Sequence, residues 1–187
     1  MGKAATKGHT YSWIFKHLAD AKGRISPRTF LIAVQESLQA TIKNHADHGF
    51  IIHHDAIREG VRVASQKRVD ELDNEYLWVR QALEIIKTKS RTVPIDWSDL
   101  YSIWQANKTS GNDTISLIEK NQSNSLIPWE PSATLDIKAN ALRDTMNNIG
   151  VLQLRERKGI LRIDLPDIFR LAYKIGRNGG IPVNRKV

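Results

Sequence analysis

The chain contains no cysteine. That absence excludes disulfide frameworks, thiolate zinc sites and cysteine nucleophiles. The sequence also lacks an apolar run of the roughly 20 residues that span a bilayer, and its N-terminus lacks the apolar core of a signal peptide. We therefore expect a cytoplasmic protein with no membrane segment.

The motifs that hold and cleave a nucleoside triphosphate are missing as well. No G-x-x-x-x-G-K-[ST] sequence is present to cradle phosphates, and no apolar strand ends in the acidic pair of a Walker B motif. The G-x-S-x-G turn of serine hydrolases is also absent. We therefore expect that the chain is not an enzyme by itself and holds no cofactor of its own.

The charge of the chain is unevenly distributed. The composition, with 41% hydrophobic and 26% charged residues, is typical of a globular protein. Of the net charge of +8, residues 1–94 contribute +5, residues 95–135 contribute −3 and residues 136–187 contribute +6. The basic excess is densest at the C-terminal end, which is where a polyanionic partner is expected.

The first half of the sequence predicts four helices with short connections. Ser26 and Pro27 form a strong start signal for the second helix, with Ser as N-cap and Pro at the first helical position. The other three helices are predicted at about residues 11–21, 54–73 and 75–87. Apolar residues at helical spacing predict the buried face of the second helix: Phe30, Leu31, Val34, Leu38 and Ile42.

The pattern changes at Pro94, which disfavours helix at the preceding residue. Helices are predicted at about residues 96–106, 113–121 and 135–148, and the last of these is expected to end at Gly150. Two strands, 151–155 and 160–164, are joined by a turn at 156–159 and predict a hairpin, and a final helix is predicted at 166–174. Three helices followed by a hairpin favour a winged helix.

Several short strings in the sequence resemble a family of bacterial P-loop ATPases. The strings are KGHTYSW at 7–13, HLADA at 17–21, SPRTFL at 26–31, IREGV at 57–61, AS at 64–65 and GRNGG at 176–180. They resemble the region that follows the nucleotide-binding core in proteins variously labelled ParA/MinD-like or generic AAA/STAND-type ATPases. The P-loop core itself has no counterpart in this sequence.

This resemblance implies a mainly α fold made of two parts. Residues 1–92 are expected to form a helical lid-like bundle, and residues 93–187 a winged-helix domain with a small β-hairpin. The implied partner is a P-loop ATPase core, in cis or in trans, and ATP and Mg²⁺ are expected only with that core. DNA is a possible further partner, no membrane contact is expected, and an oligomer is possible.

Arg28 is the candidate for nucleotide sensing. It is predicted in the first turn of its helix, where the helix dipole favours anions and disfavours a cation. A cation at this position is easier to understand when an anion docks against the same helix end. In AAA+ ATPases a lid-helix arginine in a Pro-Arg setting contacts the γ-phosphate, and the resemblance implies that role for Arg28. The alternative is an arginine at the surface whose stem covers apolar side chains.

Basic and amide side chains in the predicted winged helix are candidates for nucleic-acid contact. Cations of the wing can contact phosphates, and asparagine or arginine on the preceding helix can read base edges. Protein contact is the alternative for this surface, because Asp136 and Asp144 dilute its positive charge. The nucleic-acid candidates are Lys138, Asn140, Arg143, Asn147, Arg155, Arg157, Lys158 and Arg162.

All six histidines lie in the first 54 residues, and His45-x-x-His48 and His53-His54 invite comparison with metal sites. Because no cysteine accompanies them, we expect them to be solvated or to cap helices, and we expect no metal site.

Together these features predict a regulatory module that couples the nucleotide state of a P-loop core to a nucleic-acid or protein partner. Two alternatives remain open at the level of sequence. A free-standing winged-helix protein would bind duplex DNA without an ATPase, and a structural interaction module would need neither DNA nor nucleotide.

Overall fold

The fold is mainly α-helical with a small antiparallel sheet, as the sequence predicts. It is seen in a computed structural model, which describes residues 10–90, 92–106, 113–121 and 127–178. None of the helices in these ranges combines the length and the apolar character needed to cross a membrane.

Four helices form the N-terminal part of the described chain. They are α1 (Thr10–Leu18), α2 (Pro27–Asn44), α3 (His54–Glu75) and α4 (Leu77–Lys89). The predicted start of α2 is confirmed, because Ser26 is the N-cap, its side chain accepts a hydrogen bond from the Thr29 amide, and Pro27 follows it. The N-cap of α3 is His53, whose side chain accepts from the Asp55 amide, so the expectation of a capping histidine is confirmed there.

The prediction for the buried face of α2 is wrong at its most apolar positions. Leu31 and Ile42 are 65% and 73% exposed. The face that α2 buries consists of small side chains spaced four residues apart: Thr29, Ala33, Ser37 and Thr41. The hydroxyls of Ser37 and Thr41 donate to the carbonyls one turn earlier, at 2.6 and 2.8 Å, so their burial leaves no donor unpaired.

Gly60 explains why small residues are selected for this face. It lies on α3 against α2, and a β-carbon built onto it would come within 2.1 Å of Ser37 Oγ and 2.3 Å of the Ala33 carbonyl oxygen. The two helix backbones therefore approach closely at a residue without a side chain. Larger residues on the side of α2 that faces α3 would separate the two helices. Leu31 and Ile42 therefore lie outside the α2–α3 contact.

The C-terminal part has the order of elements found in a winged helix. The elements are β1 (Thr92–Val93), β2 (Ile95–Asp96), α5 (Trp97–Gln105), α6 (Thr114–Lys120), α7 (Leu135–Asn148), β3 (Gln153–Arg157), β4 (Ile160–Asp164), α8 (Asp167–Ala172) and β5 (Gly176–Arg177). Strands β2, β4 and β3 form an antiparallel sheet in that order, and β1 pairs with β5 in parallel. The sequence analysis did not predict the two-residue strands β1, β2 and β5.

The predicted hairpin is confirmed, but its turn consists of residues 158 and 159 instead of 156–159, because β3 extends to Arg157. Lys158 and Gly159 both have positive φ values, of 54° and 73°. That combination is the tight turn whose twist matches a two-stranded antiparallel ribbon. Arg155 on β3 lies opposite Arg162 on β4, and Arg157 lies opposite Ile160.

A continuous hydrophobic core crosses the domain boundary predicted at residues 92 and 93. The larger cluster of buried side chains joins α4 to the winged-helix elements, with Trp78 and Leu83 on one side and Leu100, Trp104 and Met146 on the other. The division into domains 1–92 and 93–187 stays a prediction, but α4 covers apolar surface of the C-terminal part.

Two polar contacts reinforce this connection between the parts. The carboxylate of Asp73, 7% exposed, accepts from Arg80 Nε and Nη2 at 2.7 and 2.6 Å, and Tyr173 lies 3.5 Å from its other oxygen. Burial raises the pKa of Asp73, and the Arg80 guanidinium opposes that shift. Elsewhere, Arg24 pairs with Asp20 and donates to the Ile149 carbonyl at the end of α7. The parts are therefore joined both through the core and at the surface.

The Gly60 contact predicts the effect of adding one methyl group. Gly60→Ala should lower the free energy of unfolding by about 1–3 kcal/mol, because the new β-carbon overlaps α2. In an unobstructed helix the same change would be stabilising by up to about 1 kcal/mol. Urea denaturation followed by far-UV circular dichroism measures the difference. Gly49→Ala is the matched control, since nothing lies within 4 Å of its added β-carbon. Equal stability of Gly60→Ala and the unaltered chain would contradict the close packing.

Candidate partner-binding surfaces

The outer side of α7 carries carboxylates. A helix that reads DNA needs hydrogen-bond donors and cations on this side. Asp136, Ile137, Asn140 and Asp144 lie within about 100° of one another around the helix. Ile137 is exposed. The Asn140 side chain donates to the Asp136 carbonyl, and Tyr101 donates to the Asp136 carboxylate. This side of α7 is therefore acidic and partly apolar.

The two cations of α7 are both engaged in contacts within the chain. Lys138 lies 2.7 Å from Glu119 of α6, and its side chain is only 11% exposed. Glu119 also accepts from the Trp129 indole at 2.9 Å. Arg143 pairs with Asp144 at 2.7 Å, and its guanidinium lies 4.6 Å from the centre of the Trp97 ring. Both cations hold the helices of the winged-helix part together.

The arginines of the hairpin are divided between paired and free positions. Arg162 Nε lies 2.8 Å from Asp96, and Arg155 lies 3.6 Å from the buried carboxylate of Asp164 and donates to Gln153. Arg157 and Lys158 at the tip are exposed, and their side chains have no hydrogen bond or ion pair with the described residues. The eight nucleic-acid candidates thus do not form one basic surface. The remaining nucleic-acid candidate, Asn147, is also apart from the hairpin: it lies on α7, and it is half-buried.

Arg28 lies in the first turn of α2, as the sequence predicts, but it has a partner within the chain. Its guanidinium is 3.2 Å from Glu71 of α3, which also pairs with Arg68 at 3.4 Å. The Arg28 side chain remains 76% exposed, and an exposed ion pair of this kind contributes at most about 1 kcal/mol. The ion pair between Arg28 and Glu71 was not predicted from the sequence, because the two residues lie far apart in the chain.

A cavity of about 270 Å³ opens next to this helix end. Among its lining residues are Arg24, Ser26, Thr29 and Arg68. The first turn of α2 contains no acidic residue. Arg28 does not line the cavity and is instead directed to the surface, where it is accessible to an anion that another molecule supplies.

Two apolar residues of α2, Leu31 and Ile42, are among the exposed large hydrophobic side chains of the described N-terminal part. Leu31 and Ile42 are flanked by the half-buried Val34 and Leu38 along the same side of the helix. We call these four residues the α2 apolar stripe. The connection that follows α2 adds two further exposed side chains, Phe50 and Ile51, the second of them 84% exposed. A stripe of this kind is a recurrent mark of a protein-binding surface.

Comparison with known proteins adds no relative to this description. No family model, no curated protein and no solved structure matches the chain.

The pairing of the winged-helix cations predicts a shallow salt dependence for DNA binding. Two free cations at the wing tip give a slope of about −2 in a plot of log affinity against log salt concentration, since each neutralised phosphate contributes about −0.9. Fluorescence anisotropy with a labelled duplex measures the slope. The double variant Arg157→Gln/Lys158→Asn should abolish the salt-dependent binding, and asparagine tolerates the positive φ of the turn.

The matched control is Arg58→Gln/Arg62→Gln, which removes two exposed arginines from α3. A slope of −5 or steeper in the unaltered chain would contradict the prediction, because it requires phosphate contacts by more cations than the two at the wing tip.

Proposed function

We propose that the chain is a non-catalytic module that binds a protein partner, and that this partner is the core of a P-loop ATPase in cis or in trans. In this proposal the module couples the nucleotide state of the core to the position of the module, and it acts in the cytoplasm. ATP and Mg²⁺ are held by the core. The observation that carries the proposal is the α2 apolar stripe.

The stripe favours a protein partner on energetic grounds. Moving an exposed leucine or isoleucine side chain out of water contributes about 1.5–3 kcal/mol. Leu31 and Ile42 alone therefore offer several kcal/mol to a partner with a complementary apolar surface, and Val34 and Leu38 add to it. Phosphates cannot use this contribution, because apolar side chains offer them neither charge nor hydrogen bonds.

Arg28 supplies the link between the stripe and a nucleotide. At 100° per residue, Arg28 and Leu31 are about 60° apart around α2 and one turn apart along it. A core that docks on the stripe therefore has Arg28 at the edge of the contact. The positive end of the α2 dipole favours an anion at the same place. A phosphate there would compete with Glu71 for the arginine.

Duplex DNA binding by a free-standing winged helix is the second candidate function. It is favoured by the exposed Arg157 and Lys158 at the wing tip and by the excess of basic residues after residue 136. The acidic side of α7 and the ion pairs of Lys138, Arg143 and Arg162 weigh against it. A structural interaction module is the third, and it shares the stripe with the main proposal but needs no nucleotide.

The stripe predicts where the partner binds. The full chain, immobilised and incubated with an extract of its native host, should retain a protein that carries a P-loop sequence, and the purified partner should bind directly. Leu31→Glu/Ile42→Glu should weaken this binding by at least about 100-fold, because two charges replace two buried apolar side chains. Isothermal titration calorimetry with the purified pair measures the change.

Ile137→Glu serves as the control for this substitution, since Ile137 is an apolar residue of similar exposure on α7. It should leave the affinity unchanged. Loss of binding in Ile137→Glu together with full binding in the α2 variant would assign the contact to the winged helix and overturn the assignment to α2.

A separate measurement tests the role of Arg28. With the purified core present, Arg28→Ala should reduce ATP turnover by about tenfold or more, because a cation that stabilises charge on the transferred phosphate is lost. Arg58→Ala, which removes another exposed arginine, should leave turnover unchanged. Unaltered turnover in Arg28→Ala would reject the nucleotide-sensing role and favour the structural module.

A further inference from the structure

The connection between α2 and α3 brings several histidines together. The imidazole ring of His53 is the centre of this group: its centroid lies 3.7 Å from that of His45, 4.6 Å from that of His48 and 4.2 Å from that of His54. We call His45, His48, His53 and His54 the histidine cluster. It is independent of the α2 apolar stripe and of the winged-helix surface.

The cluster includes donor atoms that converge. His53, His54 and Asp55 each offer one ligand atom, and these atoms lie within 4.8 Å of one another. Asp55 Oδ2 is 3.5 Å from His54 Nε2 and 4.0 Å from His53 Nδ1, while Oδ1 of the same carboxylate pairs with Arg58. Ligands of a tetrahedral zinc ion at about 2.0–2.1 Å are about 3.3 Å apart, so small side-chain rotations bring these atoms to ligand spacing.

The surroundings of His53 lower the pKa of its imidazole. Burial lowers its pKa first, and the neighbouring His45, His54 and His48 lower it further, while Asp55 raises it. Like charges on these contacting imidazoles would repel one another. A metal ion, by contrast, binds several neutral imidazoles at once.

We propose that this connection binds one divalent transition-metal ion of the zinc class, with His48, His53, His54 and Asp55 as ligands. Imidazole and carboxylate groups without any thiolate are a sufficient ligand set for zinc. In this arrangement the ring of His45 packs against His53 and fixes its orientation. From the sequence we expect no metal site, because no cysteine accompanies the histidines.

Metal binding has a defined cost in this site. His53 Nδ1 accepts the Asp55 amide hydrogen at 3.2 Å, which is the N-cap bond of α3. A neutral imidazole has a single ring lone pair, so a metal at Nδ1 replaces this bond. The ion would in return hold the α2–α3 connection together. Another bond that holds His53 in place is that of its backbone amide, which donates to Thr41 Oγ1 at 3.0 Å. The exposed Phe50 lies within the same segment.

Titration with Co²⁺ followed by Zn²⁺ tests the proposal. The full chain, prepared without a polyhistidine tag, should bind one Co²⁺ near pH 7.5 with the visible absorption of tetrahedral cobalt, and Zn²⁺ should displace it. Zn²⁺ should also raise the melting temperature, because an ion that binds the folded chain stabilises it. His48→Gln/His54→Gln should lower the affinity at least about tenfold.

A second variant separates coordination from capping. His53→Asn removes the imidazole but keeps a preferred N-cap residue, so α3 should remain folded while the metal affinity falls at least about tenfold. His17→Gln is the control, because this histidine pairs with Asp167 away from the cluster, and it should bind Co²⁺ as the unaltered chain does. Circular dichroism verifies that each variant is folded.

Two outcomes would overturn the site. One is the absence of tetrahedral cobalt absorption in the unaltered chain. The other is equal affinity for the metal in His53→Asn, in His48→Gln/His54→Gln and in His17→Gln, which would show that the ion binds elsewhere. If one variant fails to fold, the other decides, since each removes a different part of the ligand set.

Discussion

The close approach of α2 and α3 is the contact on which the surfaces of this protein depend. Gly60 has no side chain, and the facing side of α2 offers only small residues, so the two backbones pack with little between them. This geometry uses the small-residue side of α2 for the core. The larger apolar side chains of the same helix, Leu31 and Ile42, are left outside. One steric condition therefore determines both what α2 buries and what it presents.

The same arrangement has consequences at both ends of α2. At its beginning, α3 brings Glu71 against Arg28, so the arginine is held at the surface near the stripe. At its end, the connection formed by residues 45–53 leads back to α3 and packs His45 against His53, the residue that caps the next helix. The continuous core then joins α3 and α4 to the winged-helix part, with Asp73 and Arg80 at the junction. The surfaces are thus carried on one packed scaffold.

Local signals in the sequence were sufficient for most elements and insufficient for their packing. Ser26-Pro27 located the start of α2, and the hairpin followed from its alternating strands and the turn at Gly159, because these signals act within a few residues. The buried side of α2 was missed because apolar spacing is a good guide only when the neighbouring helix can accept large side chains, and that depends on Gly60. The ion-pair partners of Lys138, Arg162 and Arg28 lie in other elements of the fold, distant in the chain. These ion pairs therefore could not be predicted from the order of residues in the sequence.

Net charge is a poor guide to the partner for this reason. The +8 of the sequence suggests a polyanion, yet Arg162 and Lys138 face carboxylates within 3 Å, and such pairs cancel most of the field that a distant phosphate would feel. Within the described hairpin, Arg157 and Lys158 at the wing tip are the cations whose side chains have no ion pair. The contribution of an apolar stripe to binding does not depend on the surrounding charges. Burial of apolar area is favourable because it removes the area from water, and no net electric field is needed. In the proposed function, α2 therefore supplies the apolar contact with the partner, and the winged-helix part contributes mainly the core that supports α2.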